Sequence, residues 1–120
     1  MLIGTVGLSA QTNCSDYRIG TFEYHRLNLK GNYIVERTDS TQIEHDLVLG
    51  TKAVFKIHWT SDCEYELTHV DGKIPPMLKN LFVDDIRIKI YATADDHYSF
   101  MIIIEENTLL DSGRLYRIEN

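Results

Sequence analysis

The chain has 120 residues, a formal charge of −6 at pH 7 and a sequence pI near 5.2. This length is sufficient for one domain with a hydrophobic core. The acidic balance argues against a nucleic-acid partner, because binding to phosphates requires a basic surface. No apolar run approaches the roughly 20 residues of a transmembrane helix, so no transmembrane segment is predicted.

Residues 1–10, MLIGTVGLSA, are small, apolar and uncharged. They are similar to the hydrophobic region and cleavage site of a secretory signal, although the basic start of such a signal is missing. The alternative is a first strand or an N-terminal arm. We therefore divide the chain into residues 1–10, a signal remnant or arm, and a single β-domain over residues 11–120. The signal interpretation predicts export to the periplasm, the envelope or the medium.

The chain contains two cysteines, Cys14 and Cys63. In an exported protein they are expected to form a disulfide between the N-terminal segment and the middle of the chain. The alternative is two free thiols.

The first half of the domain alternates apolar and polar residues with a period of two, which is typical of strands with one buried face. We expect a turn region from His25 to Asn32, and Gly50 supplies a special backbone position before the next strand. Strands are predicted over Tyr17–Tyr24 (with Gly20, Phe22 and Tyr24 on one face), Tyr33–Arg37 and Thr41–Asp46.

Residues 51–70 form the clearest predicted hairpin. A loop over Thr60, Ser61 and Asp62 would place Trp59 opposite Cys63 and Lys56 opposite Glu66, so that both faces agree. His58 would then face outward, beside Glu64. The inward face would carry Ala53, Phe55, Ile57 and Trp59 on one strand, and Cys63, Tyr65, Leu67 and His69 on the other.

The second half predicts a turn at Asp71-Gly72, a short helix near residues 76–82 and a second hairpin. Its strands cover 84–94 and 97–106, and a loop over residues 95–97 would set Arg87 opposite Glu105. A last strand covers residues 109–118, with a bulge near Gly113. The inward residues of the hairpin are Ile86, Ile88, Ile90, Ala92, Tyr98, Phe100, Ile102 and Ile104.

About eight short strands, nearly all joined as hairpins, indicate an all-β antiparallel meander with one short helix. Closure into a barrel would remove the exposed strand edges that an open meander leaves. A β-sandwich is the alternative architecture.

Gly20-Thr21-Phe22 at the start of the first strand resembles the Gly-x-Trp signature of the lipocalin-like (calycin) barrels, with Phe22 in place of the tryptophan. Cys14-Ser15-Asp16, residues 36–40 and residues 59–63 resemble a group of small exported bacterial proteins with no assigned activity, some of which carry a topoisomerase label. The resemblance implies a lipocalin-like barrel and export. It implies no catalytic residue, and an acidic domain of this kind does not support a topoisomerase activity.

No pattern predicts catalysis, a cofactor or a metal site. No histidine pair has zinc-ligand spacing, and no CxxC motif occurs. The doublets Asp84-Asp85 and Asp95-Asp96 lack EF-hand spacing and are interpreted as solvated charges. Cys63 and His69 would lie about 20 Å apart on one strand, too far for a nucleophile and its base. We therefore expect a protein that is not an enzyme.

An aromatic set falls on the predicted inner face, and it either fills the core or lines a site for a small apolar or amphipathic ligand. The alternative function is a cell-envelope module with a filled core that binds a protein partner. A cavity above about 300 Å³ would favour the ligand, and an exposed apolar patch over a packed core would favour the partner. The candidate ligand-binding residues are Phe22, Tyr24, Phe55, Trp59, Tyr65, His69, Tyr98 and Phe100.

Overall fold

The computed structural model describes residues 13–26, 29–74, 85–104 and 108–119. Eight antiparallel strands pair in chain order, and the last returns to the first, so the sheet is a closed barrel. The predicted antiparallel barrel is therefore confirmed. The strands are β1 (Gly20–Arg26), β2 (Leu29–Arg37), β3 (Thr41–Asp46), β4 (Thr51–Ser61), β5 (Glu64–Gly72), β6 (Asp85–Thr93), β7 (His97–Ile104) and β8 (Thr108–Glu119).

The helical element of the described residues is a single 3-10 turn, Cys14–Tyr17. The predicted helix near residues 76–82 and the N-terminal segment 1–10 lie outside the described residues. Across the described ranges, no helix is both long and apolar enough to cross a membrane.

The barrel core follows from the period of two. On β6, Ile86, Ile88 and Ile90 are buried while Arg87 and Lys89 are exposed. Such alternation leaves one face of each strand for the interior, where branched and aromatic side chains pack well.

The first hairpin has a different register from the predicted one. Its turn consists of Asp62 and Cys63, and a β-bulge lies between Trp59 and Ser61. Trp59 therefore lies opposite Tyr65 rather than Cys63, and Lys56 lies opposite Thr68 rather than Glu66. The prediction failed because any even shift of register keeps the apolar faces together.

The second hairpin shows the same error in the opposite direction. Its turn is Asp95-Asp96, and a bulge lies between Ile90 and Ala92. Arg87 consequently lies opposite Ile103 rather than Glu105. The bulge also turns Ala92 outward, so its predicted inward position is wrong.

Two turn predictions and one bulge prediction are also corrected. β2 begins at Leu29, so most of the predicted turn region from His25 to Asn32 is strand. Asp71 and Gly72 are the last two residues of β5 and do not form a separate turn. The register shift of β8 against β7 lies between Asp111 and Leu109 rather than at Gly113. The special position at Gly50 is confirmed, with φ +70°.

Gly113 is required for close packing. A Cβ at this position would lie 2.7 Å from Cε1 of Tyr24 and 2.9 Å from the carbonyl oxygen of His25. The Phe100 ring would also be 3.3 Å away. A side chain here cannot be accommodated without moving these neighbours.

One end of the barrel is covered by the 3-10 turn, which we call the capped end. Cys14 and Cys63 form a disulfide with a Cα–Cα distance of 5.2 Å, so the predicted bond is confirmed. Tyr17 lies in this turn rather than in the predicted first strand, and it is 1% exposed. Its ring packs 5.2 Å from the ring of Tyr98 and 6.1 Å from that of Phe22.

Candidate functional site

A buried arginine lies directly beneath the capped end. Arg37, the last residue of β2, is 3% exposed, because β2 turns alternate side chains inward and Arg37 occupies an inward position. Its guanidinium donates to the backbone oxygen of Tyr17 at 2.8 Å and to Oε1 of Gln42 from both Nε, at 3.0 Å, and one terminal nitrogen, at 2.8 Å. That nitrogen also reaches the hydroxyls of Tyr65, at 3.0 Å, and Tyr98, at 2.8 Å. All of these hydrogen-bond partners are neutral.

Aromatic rings supply the electrostatic surroundings that a carboxylate would otherwise provide. The Arg37 Cζ lies 4.8–5.8 Å from the centroids of four rings, and the negative faces of aromatic rings attract a cation. The four rings belong to Phe22, Trp59, Tyr65 and Tyr98.

The hydroxyl of Tyr65 remains protonated. Burial raises the pKa of Tyr65 well above its usual value, although the charge of Arg37 acts in the opposite direction. Burial alone would lower the pKa of Arg37, but the Tyr65 and Tyr98 hydroxyls outweigh it and the pKa is raised. Arg37 is therefore a permanent cation among neutral groups.

Gln42 connects this cluster to a carboxylate. A guanidinium can only donate hydrogen bonds, so the oxygen of the Gln42 amide faces Arg37 and its nitrogen points the other way. That nitrogen, Nε2, donates to Oε2 of Glu44 at 2.9 Å. The interior therefore contains an ordered chain from Arg37 through Gln42 to Glu44.

Glu44 faces two voids in the barrel interior. Burial raises the pKa of Glu44, while the hydrogen bond from Gln42 and the charge of Arg37 lower it by less. Gln42 is its hydrogen-bond partner among the described residues. Among the described residues, Glu44 alone lines both voids.

The first void, which we call the inner cavity, has a volume of about 40 Å³. This is space for a few water molecules, at about 10–15 Å³ for each. Its walls are almost wholly apolar on the sides away from Gln42 and Glu44. The aliphatic part of the lining consists of Val35, Leu67, Ile86, Ile88, Ile102 and Leu115.

The second void, the outer cavity, has a volume of about 20 Å³ and lies toward the end opposite the cap. Glu44 and Ala53 line it together with exposed residues at the rim, Leu49, Lys73 and Ile74. No described 3-10 turn lies at this end of the barrel, which we call the open end. Glu44 thus lies between the rim of the barrel and its aliphatic interior.

The β3–β4 turn at the open end is held rigidly. Oδ1 of Asp46 accepts the backbone N–H groups of Val48 and Leu49 at 3.0 Å each, and the Gly50 N–H bonds to the Asp46 carbonyl at 2.8 Å. The turn nevertheless presents aliphatic side chains to solvent, because Leu47, Val48 and Leu49 are 61%, 70% and 57% exposed.

The predicted ligand-binding residues separate into three groups in the structure. Phe22, Phe55 and Tyr98 are completely buried in the core. Trp59 is half-buried and packs on Tyr65, and His69 is half-buried against Phe55 and bonded to the Gly72 carbonyl at 3.1 Å. The members that line the inner cavity are Tyr24, Tyr65 and Phe100.

The polar members of the site were missed by the sequence analysis. Gln42, Glu44 and Asp46 occupy the inward face of β3, and Gln42 lies opposite Arg37 in the ladder. The sequence signal was the inverted hydrophobic pattern of β3. Its inward residues are all polar, and its one aliphatic residue, Ile43, lies on the other face. The strand was predicted correctly, but the lack of an apolar residue on its inner face is what indicates a buried polar cluster.

The histidines, cysteines and acidic residues of the described chain do not assemble into a metal site. In the described ranges, no group of three or more His, Cys, Asp or Glu side chains is positioned to hold a metal ion. His58 is exposed and lies opposite Glu66, not beside Glu64 as predicted. Cys63 is in the disulfide and does not carry a thiol.

Comparisons with protein-family models, curated proteins and solved structures find no match to this chain. The interior geometry therefore carries the functional interpretation.

Proposed function

We propose that the protein is a non-catalytic barrel that binds a small amphipathic molecule in its interior. The observation that carries this proposal is the position of Glu44, a half-buried carboxylate between the rim and an aliphatic cavity. Binding sites combine mostly apolar walls with a few placed polar groups, and this interior has that composition. The resemblance to lipocalin-like barrels agrees with such a role, as does the predicted export.

The cavity volume restricts the ligand. Pockets for drug-sized molecules measure about 300–1,000 Å³, whereas the inner cavity measures about 40 Å³. The inner cavity therefore does not reach the volume that the sequence analysis set as favouring a ligand, and the ligand proposal depends on Glu44 and the apolar lining instead. The expected ligand is therefore a short molecule of a few non-hydrogen atoms. Among the described residues, Tyr17 and the disulfide cover the capped end, so the proposed route of entry is the opposite end.

Methyl NMR of the oxidised full-length chain tests this function directly. Titration with n-butanol and n-hexanol should shift the methyl signals of Leu67, Ile86 and Ile102 in a saturable manner. The exposed side chains of Val70 and Ile118 serve as internal controls and should not respond. If both probes shift all methyl signals equally, or shift none of them, the proposal is wrong.

A cavity-filling pair of variants provides a second test. Ile86→Phe adds volume at the wall of the inner cavity, and Ile118→Phe adds the same volume at an exposed site. The first variant should abolish saturable binding while the second leaves it intact. One-dimensional NMR spectra establish that both variants are folded.

The second candidate function is binding of a protein partner, and the turn over residues 47–50 favours it. A rigid turn with three consecutive exposed aliphatic residues loses little entropy on docking, and such runs are uncommon on surfaces without a function. A photo-crosslinker at position 48 should then capture one specific partner in envelope extracts. The same group at position 39, in the exposed turn before β3, is the matched control.

A further inference from the structure

The chemistry of the inner cavity indicates the class of ligand. We infer that the ligand is a short aliphatic primary amine, bound as its ammonium ion by the Glu44 carboxylate with its hydrocarbon part in the inner cavity. This inference rests on the proposed function and adds the identity of the ligand's polar group.

The sign of the charge comes from the residues that face the cavity. Glu44 is the one carboxylic acid of the described lining, and no described arginine or lysine side chain lines this cavity. A ligand carboxylate placed there would meet a like charge with little solvent to screen it, which is strongly unfavourable. The structure therefore disfavours a fatty acid or another anion.

Arg37 does not reverse this conclusion, although it is a buried cation. Its guanidinium is enclosed by Gln42, Tyr17 and the hydroxyls of Tyr65 and Tyr98. It does not line either cavity, and the Gln42 side chain lies between it and Glu44. An anionic ligand would have to displace this set of hydrogen bonds before it could reach Arg37.

The expected preference for a cation over a neutral donor follows from the interactions that Glu44 makes among the described residues. Oε2 accepts one hydrogen bond from a neutral amide, and no ion pair to this carboxylate is present among the described side chains. A carboxylate with aliphatic neighbours gains more from a charged donor than from a neutral one, because charge-assisted hydrogen bonds are roughly twice as strong. An alcohol would occupy the same space with a weaker bond.

The rim of the barrel is electrostatically mixed and does not oppose entry of a cation. Lys52 and Lys73 line the outer cavity, as do Asp46 and Glu44. Both lysines are exposed to solvent, where their charges are screened.

The test compares three probes of equal chain length: n-butylammonium, n-butanol and butyrate. Each is titrated into the oxidised full-length chain at pH 7.5 and constant ionic strength, and the methyl signals of Leu67, Ile86 and Ile102 are followed. We expect n-butylammonium to bind at least about 10-fold more tightly than n-butanol, a difference of about 1.4 kcal/mol. Butyrate should not bind.

Two variants assign the preference to one side chain. Glu44→Gln keeps the shape and removes the charge, so n-butylammonium and n-butanol should then bind equally. Glu66 lies on β5 between the buried residues Tyr65 and Leu67, so its side chain is on the other face of the strand. Glu66→Gln removes that carboxylate and should leave the preference for n-butylammonium unchanged. If Glu44→Gln does not fold, the ratio between the three probes on the native chain still decides the inference.

The outcomes separate the two proposals. Equal binding of n-butylammonium and n-butanol overturns the amine assignment but supports a ligand-binding interior. Tighter binding of butyrate overturns the assignment and identifies Arg37 as the group that recognises the ligand. Failure of all three probes and of n-hexanol to shift the cavity methyls overturns the proposed function itself.

Discussion

The two ends of the barrel interior bury polar groups in different ways. At the capped end, the Arg37 guanidinium has hydrogen bonds from each of its nitrogens to neutral neighbours, and four rings surround its charge. Toward the open end, Glu44 has one described hydrogen bond and faces two voids. A satisfied polar network fixes a structure, whereas a carboxylate beside an apolar cavity is the kind of placed polar group that binding sites contain. The capped end is therefore the scaffold, and Glu44 marks the proposed binding region.

The largest effect should come from removing the centre of the capped end. Arg37→Met leaves Gln42 and the Tyr65 and Tyr98 hydroxyls without their shared donor, and it should lower the free energy of unfolding by about 3–5 kcal/mol. Urea unfolding followed by fluorescence measures this change. Lys89→Met, at an exposed position on β6, is the control and should change the stability by less than about 1 kcal/mol. Equal losses in the two variants would show that the network does not stabilise the fold.

The disulfide should have the next largest effect. The bond joins residues separated by 49 positions, and its removal should lower the free energy of unfolding by about 2–4 kcal/mol. The double variant Cys14→Ser, Cys63→Ser can be compared with the native chain in urea, with and without reductant. Reductant should destabilise the native chain only. If reductant lowers the free energy of unfolding of both proteins equally, the disulfide does not hold the 3-10 turn over the capped end.

Much of the scaffold could be predicted from the sequence, because strand periodicity depends on which residues are buried. The pattern Ile86, Ile88, Ile90 identified the inner face of β6, and the spacing of the hairpins indicated a closed meander. The registers of the hairpins could not be predicted. Each contains a bulge paired with a short turn, and the apolar pattern is equally satisfied after a shift of two residues.

The proposed binding region was harder to predict for a physical reason. The candidate ligand-binding residues were mostly aromatic, yet most of those residues fill the core because large apolar side chains gain most from burial. Phe22 and Phe55 are examples, since both are 0% exposed. The informative residues were buried polar ones, and their pairing depends on strand register. Gln42 meets Arg37 only because β3 lies beside β2 in this register.

Gly113 tests the tight packing beside the inner cavity. Gly113→Ala places a methyl group 2.7 Å from Tyr24 and 2.9 Å from the His25 backbone, and it should cost about 1–3 kcal/mol of stability. Thermal unfolding measures the loss. Gly50→Ala is an informative control, because a Cβ there meets nothing within 4 Å and only the positive φ opposes it, at about 1 kcal/mol. A smaller loss at Gly113 than at Gly50 would mean that the Tyr24 ring moves aside easily.

The smallest change in stability should come from Glu44→Gln. The sign of that change distinguishes a group that binds a ligand from a group that stabilises the fold. Burial raises the pKa of Glu44, so the folded state holds its proton more tightly than the unfolded chain, where the pKa is about 4.3. The stabilisation linked to this proton is complete below about pH 4 and is lost as the pH rises through the higher folded pKa. Glu44→Gln does not bury a charge, and it should therefore be more stable than the native chain at pH 7.5, by roughly 1.4 kcal/mol for each unit that separates the folded pKa of Glu44 from the unfolded one.

The same variant should lose that advantage in acid. Urea unfolding of Glu44→Gln and the native chain at pH 7.5 and pH 4 measures the difference directly, and Glu66→Gln provides the control at both values. A group that only stabilised the fold would make Glu44→Gln less stable at pH 7.5, and that result would place Glu44 with the Arg37 network. A gain in stability on removal of the charge means instead that the unliganded barrel tolerates an unfavourable carboxylate, as expected if a bound cation normally offsets its cost.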